Sequence, residues 1–136
     1  MNEPIWVLDA VAEAVHLRQL AEHGGAPGIR DTGLLSSALA RPRHMATYAE
    51  SGVSLTQLAA AYAFGIARNH PFVDGNKRTA FVVSMLFLRL NGCTVDASQE
   101  EKYETFIDLA SGRLGEDEFA SWLDAHLDPG RPLRRS

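Results

Sequence analysis

Apolar residues recur every three to four positions along most of the chain, and no long segment alternates strictly between apolar and polar residues. That spacing is typical of amphipathic helices, whereas half-buried strands alternate at every second residue. The pattern therefore predicts an all-α fold, a single bundle of about six helices. The predicted segments are 7–23, 31–41, 55–69, 76–91, 98–112 and 115–127.

Capping and helix-breaking residues set the predicted limits of these helices. Asp31 is a candidate N-cap and Pro42 a helix stop, so the second helix is predicted to be short. Ser54 followed by Gln57 matches a capping box and opens the third helix. Between them, residues 43–54 show no helical period, which predicts an irregular or short extended segment.

Two of the helices are predicted to be buried. Segment 55–69 is rich in alanine and apolar on more than one face, and segment 76–91 is apolar around nearly its whole circumference. The second pattern places helix 76–91 at the centre of the bundle. Segment 128–136 contains two prolines, a glycine and three arginines, and is predicted to be a disordered tail after a folded domain over 4–127.

Composition narrows the class of protein. The net charge of −4 argues against a general nucleic-acid binder, and the single cysteine, Cys93, excludes an internal disulfide and suits a reducing compartment. The first residues lack a signal-peptide pattern. The longest apolar stretch has about ten residues, whereas a bilayer span needs about 20. We therefore expect a soluble cytoplasmic protein that binds neither membrane nor nucleic acid directly.

The segment His-Pro-Phe-Val-Asp-Gly-Asn-Lys-Arg-Thr-Ala at 70–80 concentrates the candidate chemistry. An unperturbed imidazole suits general-base catalysis near neutral pH, so His70 is a candidate base; otherwise it is simply an exposed or internally satisfied histidine. Asp74 can bind Mg²⁺ through one oxygen, or it forms an ordinary turn before Gly75. Phe72 is predicted to point inward as an anchor for the loop.

The end of this segment is the strongest argument for an anion site. Gly75 allows close backbone approach to an anion, while Asn76 contributes to that concavity or serves only as an N-cap. Lys77 and Arg78 lie in the first turn of a predicted helix, where the macrodipole disfavours cations. Unless both are solvated surface charges, they indicate a phosphate or nucleotide site at the helix N-terminus.

Other motifs of catalysis are missing from the sequence. The remaining histidines lack metal-like spacing with one another or with Cys93, so we assign them structural or surface roles; they are His16, His23, His44 and His126. The segment 75–79 is not a P-loop, because the first glycine of that motif and a preceding strand are absent.

The segment 70–80 closely resembles the signature loop of the Fic/Doc family, and its ending Asn-Lys-Arg-Thr-Ala looks like the Doc branch. Segments 28–42, 60–64 and 87–92 are also similar to Doc-like proteins, so the resemblance covers most of residues 4–127. The resemblance implies an all-helical domain that uses ATP and Mg²⁺ to modify a hydroxyl of a target protein.

The family's residue roles carry over onto the matching positions. His70 would deprotonate the target hydroxyl, and Asp74 would hold Mg²⁺. The phosphate groups would be bound by Gly75, Asn76, Lys77 and Arg78. The resemblance also implies that Phe72 locks the loop into the core and that a flap within 43–54 docks the target by strand-like pairing.

The loop departs from the AMP-transferring pattern of the family at two positions. Lys77 replaces a glycine and Phe81 replaces a second arginine, so phosphates must lie differently. Doc-like proteins share both changes and act as kinases on elongation factor Tu. The resemblance therefore implies a toxin kinase; the alternatives are an AMP-transferase and a non-catalytic nucleotide- or antitoxin-binding module.

No inhibitory Ser/Thr-x-x-x-Glu-Gly/Asn string occurs, which implies a separate antitoxin.

Overall fold

A computed structural model describes residues 3–128 of the chain and confirms the all-α prediction. The described part contains six helices and one two-stranded sheet. The helices are α1 (Asp9–His23), α2 (Thr32–Tyr48), α3 (Leu55–Asn69), α4 (Asn76–Leu90), α5 (Gln99–Ser111) and α6 (Glu116–Ala125). The strands are β1 (Thr94–Val95) and β2 (Leu127–Asp128). Within residues 3–128, the structure has no helix with the length and apolar character that crossing a bilayer requires.

The centre of the bundle is α3, and the prediction that helix 76–91 takes this place was wrong. Ten of the fifteen residues of α3 are buried, and it packs against α2, α4 and α6. Its small residues allow close approach: a Cβ added at Gly65 would lie 3.3 Å from Ala38 of α2. The larger apolar side chains of α4 are buried on one side only, and Leu90 is exposed.

The second helix is longer than predicted, because α2 continues through Pro42 to Tyr48. A proline inside a helix costs a hydrogen bond and about 3 kcal/mol in isolation. Pro42 is buried, however, and α2 packs extensively on α3. We attribute the continuation to that burial, since apolar surface removed from water offsets the lost bond. The predicted irregular segment 43–54 is thereby reduced to 49–54.

The predicted capping residues at the starts of α2 and α3 are confirmed. Asp31 Oδ1 accepts a hydrogen bond from the Leu34 amide at 3.0 Å, and the Ser54–Gln57 capping box is present. The helices α3 and α4 therefore begin close to the predicted residues and are joined by a short loop at 70–75. This loop carries the candidate site.

The small sheet joins the exit of α4 to the end of α6. Thr94 pairs with Asp128 and Val95 with Leu127 in antiparallel register. Strands of two residues cannot show an alternating pattern, so these two could not be predicted from the sequence. Asp128, the first residue of the predicted tail, lies in β2, and residues 129–136 of that prediction lie outside the described residues.

Candidate active site

His70 ends α3 in an unusual backbone conformation. With φ 50° and ψ 56° it is left-handed, and it is the only non-glycine residue with positive φ among residues 3–128. Its amide donates to the Ile66 carbonyl oxygen at 3.2 Å, and Pro71 follows and cannot continue the helix. The His70 side chain is exposed and borders a cleft of about 400 Å³.

Phe72 and Asn76 close the loop from the inside. Phe72 is 1% exposed, as the sequence predicted, and Asn76 is 8% exposed. The Asn76 side chain accepts from the Phe72 amide and donates to the Phe72 carbonyl oxygen, both at 2.9 Å. Because both ends of this amide are used inside the loop, Asn76 is not an N-cap. Its backbone N–H, in the first turn of α4, can still donate to a bound anion.

Asp74 presents a carboxylate at the rim of the cleft. Oδ1 accepts from the Gly75 amide at 2.9 Å and Oδ2 from the Ala26 amide at 3.2 Å. Each carboxylate oxygen can accept more than one bond, so both keep a free acceptor site. No cluster of three or more His, Cys, Asp or Glu within residues 3–128 could enclose a metal ion. A single carboxylate nevertheless fits Mg²⁺, which commonly binds one or two carboxylates together with substrate phosphates.

The start of α4 has the features of an anion site. Gly75 is the N-cap, with φ 76°, and no side chain caps the helix. The first bond of the helix runs from the Thr79 amide to the Gly75 carbonyl oxygen at 3.0 Å. The amides before Thr79 are the ones that a helix leaves without internal partners. A Cβ at Gly75 would make only ordinary contact with the Leu20 side chain at 3.4 Å, so the positive φ and not the space favours glycine.

Two cations flank these amides. Lys77 is exposed, and the Arg78 guanidinium stacks over the Tyr103 ring at 4.9 Å from its centroid. The structure thus brings every sequence-predicted site residue to one cleft. The cleft is lined by Gln19, His23, Gly24, His70, Val73, Asp74, Gly75, Asn76, Lys77 and Arg78.

Sequence reasoning missed the contribution of His16. This histidine is 3% exposed and stacks on Phe72, with ring centroids 3.8 Å apart and planes 9° apart. Its Nε2–H donates to the Asp74 carbonyl oxygen at 2.8 Å, which fixes the tautomer of the ring. The only local signal was its position on the same face of α1 as buried Ala12. Of the two roles predicted for His16, structural or surface, the structure confirms the structural one.

Arg30 was also missed. Its Nε donates to the His70 carbonyl oxygen at 2.7 Å, and a terminal nitrogen donates to the Asn69 carbonyl oxygen at 2.8 Å. The partners lie about 40 positions along the chain, so no local pattern could reveal them.

A helical bundle with a histidine, a carboxylate and an uncapped, cationic helix start in one cleft defines a candidate phosphate-handling protein. The sequence matches the Fic/DOC family over residues 8–88, more than half of the chain, and the protein belongs to this family. The family resemblance drawn from the loop is thereby confirmed.

Two relatives refine the comparison. The chain is 43% identical over 74 residues to "Toxin Doc" of Mycolicibacterium smegmatis, covering 54% of this chain and 57% of that protein. It is 38% identical over 87 residues to "Protein kinase doc" of Escherichia phage P1, covering 64% of this chain and 68% of that protein. Both names place the chain near the Doc branch.

Proposed function

We propose that this protein is a Doc-like toxin that transfers the γ-phosphate of ATP to a threonine or serine hydroxyl of a target protein. The observation that carries the proposal is the convergence of His70, Asp74 and the uncapped start of α4 on one cleft. The names of the two relatives, a toxin and a protein kinase, support the same reading. The target implied by the family resemblance is elongation factor Tu.

The donor groups fit ATP and Mg²⁺. Asp74 would hold the metal through a free acceptor site of its carboxylate, and the first amides of α4 would bind phosphate oxygens. Lys77 and Arg78 would neutralise part of the phosphate charge. When bound, ATP with Mg²⁺ supplies the transferable phosphoryl group. Asn76 takes part through its backbone, since its side chain closes the loop.

His70 acts as the general base in this proposal. The imidazole would take the proton of the target hydroxyl as its oxygen bonds to the γ-phosphorus. The bond from that phosphorus to the β-phosphate oxygen would break, and ADP would leave. The exposed ring borders the cleft, so an incoming hydroxyl can reach it without opening the fold. Phe72 and Asn76 keep the loop rigid beneath it, because they are buried and bonded to each other.

Two positions favour phosphate transfer over AMP transfer. Phe81, which replaces the second arginine of the AMP-transferring pattern, packs against Tyr103 and Phe106 with centroids at 6.1 and 5.7 Å. This position therefore belongs to the contact between α4 and α5. Lys77 replaces a glycine and lines the cleft, where its side chain would occupy space that a glycine would leave open for the triphosphate. We expect it to direct the γ-phosphate to the hydroxyl.

Two protein partners belong to this proposal. The target segment docks by strand-like pairing beside residues 49–54, the shortened flap between α2 and α3. The exposed Tyr48, with 79% of its surface accessible, stands at the end of α2 next to this segment.

A separate cognate antitoxin inhibits the toxin, because the chain lacks the inhibitory string of the family.

Mass spectrometry of elongation factor Tu after incubation with the protein, ATP and Mg²⁺ tests the proposal. Phosphate transfer adds about 80 Da and AMP transfer about 329 Da, because the two reactions attack different phosphorus atoms. We expect the smaller increase, dependent on both Mg²⁺ and His70. The larger increase would replace the kinase with an AMP-transferase, and no increase would exclude this target.

A further inference from the structure

Arg30 forms a two-point contact with the end of the helix that carries the proposed base. Its guanidinium donates from Nε to the His70 carbonyl oxygen at 2.7 Å and from a terminal nitrogen to the Asn69 carbonyl oxygen at 2.8 Å. We infer that Arg30 is a positioning residue for His70. This inference rests on the proposed function only for the role of His70 as the base.

The backbone of His70 needs external support. Left-handed φ and ψ are disfavoured for a residue with a Cβ, and such conformations persist where the surrounding structure fixes them. The last carbonyl groups of α3 accept no hydrogen bond within the helix. The Arg30 guanidinium bonds two of them and brings a positive charge to the negative end of the helix dipole.

The main chain around Arg30 is itself tied to the loop. The Arg30 amide donates to the Pro71 carbonyl oxygen at 2.7 Å, and the Val73 amide donates to the Gly28 carbonyl oxygen at 3.0 Å. An isolated antiparallel bridge joins Ile29 to Phe72 between these two bonds. Segment 28–31 thus pairs with segment 71–73 while its arginine side chain holds residues 69 and 70.

The far end of this segment is anchored in the bundle. Asp31 caps α2 through its bond to the Leu34 amide. His70 is therefore linked through Arg30 to the start of α2 as well as to its own helix. Only arginine offers two parallel N–H groups in a rigid fork, so lysine should replace this contact incompletely.

Steady-state kinetics separates a positioning role from ordinary helix capping. For Arg30→Ala we expect kcat to fall about 10- to 100-fold, because a displacement near 1 Å at a catalytic group costs about that much. The KM for ATP should stay within about twofold, since the phosphate-binding amides lie at the start of α4. Arg30→Lys should recover part of kcat. Arg113→Ala, which removes an exposed guanidinium bonded to Asp108, is the matched control and should match the parent.

A double variant tests whether Arg30 acts through His70. In a His70→Ala background, Arg30→Ala should cause no further loss of rate. An equal additional loss in that background would overturn the inference. An unchanged kcat for Arg30→Ala, measured beside a His70→Ala variant whose rate falls as expected, would also overturn it. In both cases the proposed function would stand.

Amide hydrogen exchange gives a readout that does not depend on phosphate transfer. In Arg30→Ala we expect faster exchange at the amides of His70 and Phe72, with no change in Arg113→Ala. If the parent transfers nothing, the proposed function fails, but faster exchange at these two amides still supports positioning by Arg30. Unchanged exchange at both amides would overturn the inference whatever the activity.

Discussion

The helices α4 and α5 begin in opposite ways. At the start of α5, Ser98 Oγ accepts from the Glu101 amide and the Glu101 carboxylate accepts from the Ser98 amide, both at 3.0 Å. Two glutamates in its first turn suit the helix dipole. At the start of α4 a glycine replaces the capping residue, and two cations replace the acids. The first arrangement stabilises the helix alone, whereas the second is favourable when an anion binds.

The largest expected effect comes from removing the base. His70→Ala should lower the rate of phosphate transfer by about 10²- to 10⁴-fold, which is the usual contribution of a general base. The melting temperature should stay near that of the parent, because the ring is exposed and supports no helix face. Radiolabel transfer and thermal unfolding measure the two effects. His44→Ala, at an exposed position of α2, is the matched control, and equal activity of both variants would make His70 structural.

Removing the loop's internal bonds should mainly affect stability. Asn76→Ala leaves the buried amide and carbonyl of Phe72 without partners, so we expect a loss of about 2 to 4 kcal/mol in the free energy of unfolding. Urea unfolding measures this loss. Asn91→Ala removes three bonds, two to the amide and carbonyl of exposed Ile5 and one to the Phe87 carbonyl oxygen, and should cost less because the Ile5 groups can bond to water instead. A larger loss for Asn91→Ala would contradict the importance assigned to the loop.

Much of the difference between the starts of α4 and α5 could be predicted from the sequence, because capping residues and first-turn charges are local features. The same holds for the limits of α3 and α4, which follow from Ser54, Pro71 and Gly75. The continuation of α2 through Pro42 could not be predicted, since burial against α3 decides it. The contacts of His16 and Arg30 with the loop join residues about 40 to 58 positions apart, so they appear only in the folded chain.

Charge reversal sharpens the comparison between the two helices. Lys77→Glu should raise stability by about 0.3 to 1 kcal/mol, because an acid suits the helix N-terminus. It should also weaken ATP binding by about tenfold, since a phosphate-binding cation becomes an anion. Glu100→Lys at the start of α5 should lower stability by a similar amount and leave ATP binding unchanged. Calorimetric titration with ATP measures the affinity of each variant. An affinity of Lys77→Glu equal to that of the parent would make Lys77 a solvated surface cation.

The smallest effect concerns the pH dependence of the α5 cap. Hydrogen bonds from the Ser98 backbone and side chain lower the pKa of Glu101. A carboxyl whose pKa is lower in the folded state stabilises the protein above its unfolded pKa, and this contribution is lost as the pH falls through the folded pKa. Glu101→Gln, which removes the titrating carboxyl, should therefore be less stable than the parent at neutral pH, and the difference should shrink in acid. Urea unfolding at several pH values measures it, and a constant difference would contradict this cause.

The central claim is that the uncapped start of α4 presents the γ-phosphate of ATP to a hydroxyl beside His70. Transfer of label from ATP to elongation factor Tu tests it most directly, with the label placed on the γ-phosphate in one reaction and on the α-phosphate in another. The account predicts that only the γ-label reaches the target, that Mg²⁺ removal stops this transfer and that His70→Ala lowers it by about 10²- to 10⁴-fold. Transfer of the α-label by the parent protein would contradict it.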